Sequence, residues 1–347
     1  MANIQDVAKK AGVAPITVSR VINNSGYASQ ATRKRVEAAI AELGFVPNTL
    51  ARSLRSGHTN TLALVMTDIT NPFFTTLARG VEDTASAAGY TVIFCNTDES
   101  EEKERQYLQV LLQKRVDGIL LVPARSAPFS VRFVQEHDTA VVVVDGRVPE
   151  VKADVVRCDS EGGAYQLAKL LVRQGHRRIA MFSGPHGVST SEDRVSGCLR
   201  AFAEAGLGED ACQVYYGAFT QENGYALTQQ VMAANPRPTA VFAGNNFIAI
   251  GTQKALRDLG LRVPEDIALV GFDDLPPALV TFPILTVAAQ PAYAMGQKAT
   301  ELLLARLSGN APEEWQEIIL PTEIIVRQSS QLTLPGQQID AFTQTLP

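Results

Sequence analysis

Residues 12–23 read GVAPITVSRVIN, and this stretch predicts a tight turn followed by a short helix. Gly12 suits the left-handed conformation that ends one helix, and Pro15 suits the first position of the next, where its missing N–H is no loss. Apolar residues at helical spacing predict the buried stripe: Val18, Val21 and Ile22. A helix set against a preceding one by a glycine turn is the helix-turn-helix arrangement that enters the DNA major groove. An ordinary surface helix in a small bundle fits this stretch equally well.

The residues on both sides of this stretch predict a small basic domain. Residues 4–11 form an amphipathic pattern, and Ser29 is a suitable N-cap for a helix over Gln30–Leu43 that Gly44 ends. The first 60 residues carry eight Lys or Arg against three Asp or Glu, whereas the whole chain has a net charge of −5. The net charge is thus +5 for residues 1–60, the predicted head, and −10 for the rest of the chain. This difference indicates that only the head binds a polyanion.

A short linker follows the predicted head. After Pro47, residues 48–54 are long enough for two helical turns, which are too few to be stable alone in water. Leu54 lies between Arg52 and Arg55, a composition that is unusual for a plain flexible linker. We therefore predict a segment that becomes helical only on a partner, with a flexible linker as the alternative.

Composition limits the classes of protein to which the chain can belong. Its 347 residues are 46% hydrophobic and 19% charged, which is typical of a globular protein with two or three domains. No apolar run reaches the ~18 residues that span a bilayer, and the first residues lack the apolar core of a signal peptide. Because the four cysteines are widely spaced, we expect free thiols, no metal site and a cytoplasmic location.

From Thr61 onward the pattern changes to alternating strands and helices. Apolar runs of four to six residues alternate with amphipathic stretches, which is typical of parallel sheets covered on both faces. The strands are too many for one sheet, and a break near residues 158–165 predicts two similar lobes. Ligands of such folds bind beyond the carboxyl ends of the strands.

Aromatic and polar side chains follow six of these predicted strands. They are Asn71, Phe73, Phe74, Asp145, Arg194, Asn245, Asp273 and Gln290. Aromatic rings stack on the C–H faces of a sugar, while carboxylate, amide and guanidinium groups bind its hydroxyls. Each residue alone is more often a core, capping or ion-pair residue. Their recurrence at six strand ends predicts a site for a polyhydroxylated ligand.

Several motifs resemble the lactose-repressor family of bacterial transcription regulators, in that family's order and over residues 3–327. The headpiece and hinge motifs are IQDVAKKAGV at 4–13, TVSRVIN at 17–23, Pro47-Asn48 and ARSL at 51–54. The core motifs are TNPFF at 70–74, QKRVDG at 113–118, Gly175-His176, LRVPED at 261–266 and GFDD at 271–274. The family's core is similar to periplasmic sugar-binding proteins.

The resemblance implies the division of the chain. We expect a three-helix helix-turn-helix headpiece at residues 1–46, a hinge helix and linker at 47–60, and an α/β core at 61–330. The core consists of two doubly wound parallel-sheet lobes, with lobe 1 at about 61–158 and 289–320 and lobe 2 at about 159–288 and 321–330. Residues 331–347 are expected to be a disordered tail.

The resemblance also implies a homodimer that binds a near-palindromic operator. The family's base-reading positions fall on Pro15, Ile16 and Arg20, of which only Arg20 can pair with guanine. Leu54 matches the leucine that the family inserts into the minor groove at the operator centre. Ala14 stands where the family usually has serine, so a helix cap is missing. The remaining expected DNA contacts are Thr17, Ser19, Asn23, Arg52 and Arg55.

For the effector, the resemblance transfers the strand-end residues named above as contacts and adds Phe219. It favours a monosaccharide or a derivative of one. Gly146 stands where an arginine often follows the aspartate, with Arg147 as the candidate substitute, and Asn246 replaces the usual aspartate. Val188 and Gly146 lack the groups of the purine-binding branch, so a purine is less favoured.

The sequence thus predicts a DNA-binding transcriptional repressor that an effector controls, without cofactor or catalytic activity. A sugar-binding protein of the transport type fits the core, but the basic head and the missing signal segment disfavour it. An enzyme is the least favoured class, because the chain lacks G-x-G-x-x-G, P-loop and H-E-x-x-H motifs and its four histidines are scattered.

Overall fold

The computed structural model describes residues 2–23, 25–46, 58–276, 280 and 283–331. The chain divides into two compact units, Met1–Thr59 and Asn60–Pro347. The predicted hinge helix, with Arg52, Leu54 and Arg55, and all but the first residue of the predicted tail lie outside the described residues.

The described residues of the first unit form a bundle of three helices. They are α1 (Ile4–Ala11), α2 (Pro15–Ile22) and α3 (Gln30–Leu43). Gly12 ends α1 in the left-handed conformation, at a φ of 64°, and so makes the tight turn into α2. Ala14 leaves α2 without a side-chain cap, and the three helices are held mainly by their apolar core. Its centre is formed by a buried valine from each helix: Val7, Val18 and Val36.

The second unit contains a first parallel sheet of six strands within the described residues. The strands are β1 (Thr61–Met66), β2 (Thr91–Asn96), β3 (Gly118–Leu121), β4 (Ala140–Val144), β5 (Asp154–Cys158) and β11 (Glu317–Leu320). Their order in the sheet is β11-β5-β4-β3-β1-β2.

A second sheet, likewise of six strands in the described part, has the order β12-β10-β9-β8-β6-β7. Its strands are β6 (Ile179–Ser183), β7 (Cys212–Tyr216), β8 (Ala240–Ala243), β9 (Ala268–Phe272), β10 (Thr286–Ala289) and β12 (Glu323–Ile325). β12 runs antiparallel to β10, whereas the other neighbouring strands of this sheet are parallel, as the predicted parallel-sheet lobe requires. The chain reaches β12 from β11 of the first sheet through Pro321 and Thr322 alone.

Helices cover both sheets. α4 (Pro72–Ala87), α5 (Glu101–Gln113), α6 (Phe129–Gln135) and α11 (Ala292–Leu307) pack on the first sheet. α7 (Ser160–Arg173), α8 (Ser189–Glu204), α9 (Gln221–Met232) and α10 (Asn246–Asp258) pack on the second. Along the described residues, no helix combines the length and the apolar composition needed to cross a membrane.

The chain passes between the two sheets at three places in the described residues. β5 leads into the second sheet, β10 leads back through α11 to the first, and β11 leads again to the second. Each lobe is therefore built from separate stretches of sequence. The carboxyl ends of β1 and β4 in one lobe, and of β6, β8 and β9 in the other, border the same cavity.

The central strands of both sheets are buried on both faces, as the continuous apolar runs predict. In β1, the side chains of Leu62, Leu64 and Met66 face one apolar cluster, and those of Ala63 and Val65 face another. All five are at most 1% exposed. Since burying a leucine-sized side chain contributes about 1.5–3 kcal/mol, packing on both faces fixes the strands firmly. The loops at their carboxyl ends start from a rigid frame.

Candidate DNA-binding face and ligand cavity

The predicted reading face of α2 lies on the surface of the first unit. Pro15, Ile16 and Arg20 are exposed, and Ile16 is 57% exposed although it is apolar. Val18 and Val21 of the same helix are buried, so the helix presents the expected side. An exposed isoleucine beside an exposed arginine is suited to contact with a thymine methyl and a guanine edge.

The other expected contacts of this helix are partly engaged within the unit. Thr17, Ser19 and Asn23 are half-buried. The Nδ2 amide of Asn23 donates to the Ser19 carbonyl at 2.8 Å and to its hydroxyl at 3.2 Å. The amide therefore helps to close the last turn of α2, and its Oδ1 is the atom left to accept from outside.

Sequence analysis did not single out Tyr27, in the loop between α2 and α3. Its side chain is 88% exposed, which is unusual for an aromatic residue in so small a unit. No motif of the sequence marks it, and only its exposure beside the reading helix draws attention to it.

All nine predicted effector residues line one cavity of about 60 Å³ in the second unit. They are Asn71, Phe73, Phe74, Asp145, Arg194, Phe219, Asn245, Asp273 and Gln290. The lining includes further residues that the sequence did not predict as contacts, among them Glu99, Arg125 and Pro185. Both lobes contribute to the lining, so a ligand in the cavity would contact both.

The first-lobe side of the cavity begins at the start of α4. The Oδ1 atom of Asn71 accepts the Phe73 N–H at 3.0 Å and so caps the helix. The same amide exchanges two hydrogen bonds with Asn246 of the second lobe, at 3.2 and 2.9 Å. The Phe73 and Phe74 rings lie edge to face, with centroids 5.0 Å apart, and form an apolar wall.

On the second-lobe side, Arg194 of α8 is 3% exposed and is held by two contacts. Its Nη1 donates to the Gly244 carbonyl at 2.7 Å, and its guanidinium lies 4.0 Å from the centroid of the Phe272 ring. Its Nε is buried without a hydrogen-bond partner among the described residues. Buried polar atoms are normally paired, so a ligand oxygen is the natural partner.

Two carboxyl groups face this arginine. Asp145 and Asp273 follow β4 and β9 in the left-handed conformation, at φ values of 70° and 69°. Burial raises the pKa of Asp145 to about 6, although Arg194 acts in the opposite direction. Burial also raises the pKa of Asp273, against the opposing effects of Arg194 and of Gln290, whose amide donates to it at 2.5 Å. The Oδ1 atom of Asp145 finds no partner within the described part of the chain.

Acidic groups outnumber basic ones around the cavity. The ionisable lining residues are Asp68, Glu99, Asp145 and Asp273 against Arg125 and Arg194. Such a lining disfavours an anionic ligand and suits an uncharged one with hydroxyl groups that both donate and accept.

Arg147 does not take the place of the missing arginine at Gly146. It is absent from the cavity lining, and its guanidinium forms an ion pair with Asp193 of α8. Its backbone N–H donates to the Ser189 hydroxyl at 2.9 Å. Because Asp193 lies on the other lobe, its carboxylate draws Arg147 away from the ligand space. Asn246 is likewise absent from the lining and pairs with Asn71 instead.

Within the described ranges, no group of three or more His, Cys, Asp or Glu side chains could hold a metal ion. All four cysteines are free and buried.

Two family models match the chain. Residues 3–48 match the model described as "Bacterial regulatory proteins, lacI family", and residues 168–330 match "Periplasmic binding protein-like domain". The first covers α1 to α3, and the second covers most of the second lobe together with α11 and β11.

Curated relatives extend the similarity to nearly the whole chain. The HTH-type transcriptional repressor PurR of Vibrio atlanticus is 36% identical over 315 residues, which cover 90% of this chain and 94% of the relative. The ribose operon repressor of Halalkalibacterium halodurans is 37% identical over 331 residues, which cover 95% and 97%.

Solved structures give the same result. A complex of the transcriptional regulator CelR with cellobiose is 33% identical, covers 95% of this chain and 100% of its own, and has a TM-score of 0.73. A LacI family regulator from Enterococcus faecium with bound ribose is 30% identical, covers 78% and 98%, and has a TM-score of 0.70.

Proposed function

Because the chain belongs to the LacI family of bacterial regulatory proteins, we propose that it is a homodimeric repressor whose operator affinity is set by one neutral sugar ring. Family membership makes the chain a DNA-binding transcriptional repressor and not an enzyme. The proposal adds the class of the effector, its site and the residues that read DNA. A repressor of this kind acts in the cytoplasm, where the operator lies.

The observation that carries the proposal is that Asp145 and Arg194 line the same cavity as the rings of Phe73 and Phe74. The carboxylate offers an unpaired acceptor and the guanidinium an unpaired donor, both buried. A sugar hydroxyl can donate to the first while a neighbouring hydroxyl accepts from the second. Phe73 and Phe74 supply the apolar surface for the C–H face of the ring.

The size and charge of the cavity narrow the class of effector. At about 60 Å³ the cavity is small, which favours one sugar ring over two. The excess of carboxyl groups disfavours sugar phosphates and sugar acids. D-ribose is the first compound to test, since one relative is a ribose operon repressor and one similar structure holds ribose.

A purine base is the second candidate. A relative named PurR is about as similar to the chain as the ribose operon repressor. Against a purine, Val188 lines the cavity with an apolar side chain. Asn246, which could otherwise bind a base edge, is occupied by Asn71.

On the DNA side, we propose that Arg20 reads guanine while Pro15 and Ile16 make apolar contacts. Thr17, Ser19, Asn23, Arg52 and Arg55 would contact the backbone, which positions the helix without reading sequence. Leu54 would open the centre of a near-palindromic site between two protomers. The exposure of Ile16 and Arg20 supports this assignment.

Effector and operator would bind as thermodynamically coupled ligands. An operator selected from a random duplex pool is labelled, and its affinity is measured by fluorescence anisotropy with and without D-ribose. We expect a ribose-dependent shift in operator affinity, and a ribose-dependent rise in melting temperature. Ribose 5-phosphate, cellobiose and adenine are the comparison ligands. If adenine shifts operator affinity and ribose does not, a purine replaces the sugar as the proposed effector. Failure to select any operator would contradict the DNA-binding role.

A further inference from the structure

Gly184 follows the last residue of β6, and the ring of Phe219 lies directly against it. A Cβ on Gly184 would approach the Cζ, Cε1 and Cε2 atoms of this ring to less than 3.0 Å, closer than real Cβ contacts allow. β7 pairs with β6 up to Tyr216, so the loop after β7 brings Phe219 back across the end of β6. The ring therefore occupies the space that a side chain at position 184 would need.

The backbone that carries this ring is fixed. The Asn223 amide donates to the Ala218 carbonyl at 2.9 Å, and the Thr220 hydroxyl accepts the Asn223 N–H at 3.2 Å as the cap of α9. The ring itself packs against the apolar cluster of the second lobe. An added group at position 184 would have to turn the ring rather than shift the loop.

Phe219 and Pro185 both line the cavity, whereas Gly184 is buried and does not line it. We propose that Gly184 is a specificity-determining position that sets how deeply the Phe219 ring lies, and that this ring is the wall restricting the cavity to one sugar ring. The inference rests on the proposed function for the identity of the ligand. The contact between the two residues does not depend on it.

The consequence of a methyl group at position 184 follows from the geometry. The ring can turn toward the cavity, where it takes up ligand space, or toward solvent, where the wall is lost. Either movement of the Phe219 ring weakens the binding of a single sugar ring. Removing the Phe219 side chain leaves room for a methyl group at position 184 and opens the cavity to a second sugar ring.

The test is a double-mutant cycle in the full-length chain with Gly184→Ala, Phe219→Ala and the double variant. Calorimetry with D-ribose should show a rise in Kd of at least tenfold for Gly184→Ala. In the Phe219→Ala background the same change should alter Kd by less than threefold. Phe219→Ala should also gain measurable affinity for cellobiose. Gly208→Ala is the matched control, because Gly208 has open space around it and an ordinary φ.

A second cycle without ligand separates this inference from the proposed effector. In urea, Gly184→Ala should lower the unfolding midpoint when Phe219 is present and leave it unchanged in the Phe219→Ala background. Equal effects in the two backgrounds, in either cycle, would overturn the inference. If the unsubstituted chain binds no ribose, the proposed effector fails, and the urea cycle still decides whether Gly184 sets the place of the ring.

Discussion

At the scale of single residues, Arg194 is the side chain on which the ligand cavity depends most. The Gly244 carbonyl and the Phe272 ring hold its guanidinium from two sides, and it faces the buried carboxyl groups of Asp145 and Asp273. Charge-assisted hydrogen bonds in such a buried setting are the strong ones. Substitutions at this cluster should therefore act on ligand binding and leave the headpiece unaffected.

We expect Arg194→Ala to abolish the ligand response. Loss of a hydrogen bond to a charged group costs about 1.5–3 kcal/mol, so the Kd for ribose should rise roughly 10- to 100-fold. Operator affinity without ligand should remain within twofold, as measured by anisotropy. Arg200→Ala is the control, because Arg200 lies on the same helix but forms an exposed ion pair with Glu161. Unchanged sugar affinity in Arg194→Ala would refute the assignment of the site.

The raised pKa of Asp145 predicts a pH dependence of binding. Its pKa of about 6 in the folded chain lies above its ordinary value of 3.8, so below pH 6 the carboxyl is protonated and its acceptor capacity falls. A ligand that donates to the carboxylate lowers this pKa, and the Kd for ribose should therefore decrease from pH 5 to pH 7. Calorimetry across this range tests it, and Asp145→Asn should remove this contribution. A profile that stays the same in Asp145→Asn would contradict the assignment.

The same group has the opposite effect on folding. Because the folded state binds this proton more tightly than the unfolded state, the stabilisation from Asp145 is complete below pH 3.8 and is lost as pH rises through about 6. Urea unfolding of the ligand-free chain at pH 5 and pH 7 measures it. The difference between these two midpoints should shrink in Asp145→Asn.

At the scale of elements, the starts of helices from opposite lobes are joined directly. Asn71, which caps α4, bonds to Asn246, the first residue of α10. Ser189, the first residue of α8, donates its N–H to the Ser126 hydroxyl of the first lobe at 2.8 Å. These contacts flank the cavity, so the lobes meet through helix starts as well as through any bound ligand.

We expect Asn246→Asp to weaken the first of these contacts. The Asn71 Oδ1 atom already accepts from Phe73 and Asn246, and a carboxylate would bring a second acceptor against it. Turning the Asn71 amide would break the hydrogen bond from the Phe73 N–H to Asn71 Oδ1 that caps α4. An unpaired buried polar group costs about 1–3 kcal/mol, so ribose affinity should fall roughly 5- to 100-fold.

Calorimetry measures this change, with Asn310→Asp as an exposed control. Equal ribose affinity in Asn246→Asp and the unsubstituted chain would show that the lobes do not depend on this amide pair.

At the scale of the whole molecule, the proposed function requires the basic head and the acidic core to act together. The sequence places Leu54 in the segment that joins them. A wedge in the minor groove adds specificity through DNA shape, which matters here because two of the three reading positions cannot make hydrogen bonds. Under the proposed function, coupling between sugar and operator would depend on this segment, which joins the two in the sequence.

We expect Leu54→Ala to weaken operator binding about tenfold and to reduce operator bending, while the Kd for ribose stays the same. Anisotropy and energy transfer between dyes at the operator ends measure the two DNA effects, and calorimetry measures the sugar. Leu199→Ala serves as the control because that leucine is 40% exposed on α8. An equal loss of sugar affinity in Leu54→Ala would contradict a role confined to DNA.

Eight of the lining residues could be predicted from the sequence because parallel strands bring their carboxyl ends to one edge, and Phe219 came from the family resemblance alone. Glu99 was not predicted because the direction of its side chain depends on the backbone conformation. Asp98 and Glu99 are both left-handed, at φ values of 51° and 57°. The pairing of Arg147 with Asp193 depends on how the lobes meet, which no local pattern encodes.

The three passages of the chain between the sheets have a consequence for synthesis on the ribosome. Residues 2–46 hold the whole of the three-helix unit, so the DNA reader can fold as soon as this short stretch has emerged. The first lobe must wait for α11 and β11, which end at Leu320, and the second for β12. A nascent chain therefore holds the three helices of its DNA-binding unit well before it holds the last described strand of either lobe.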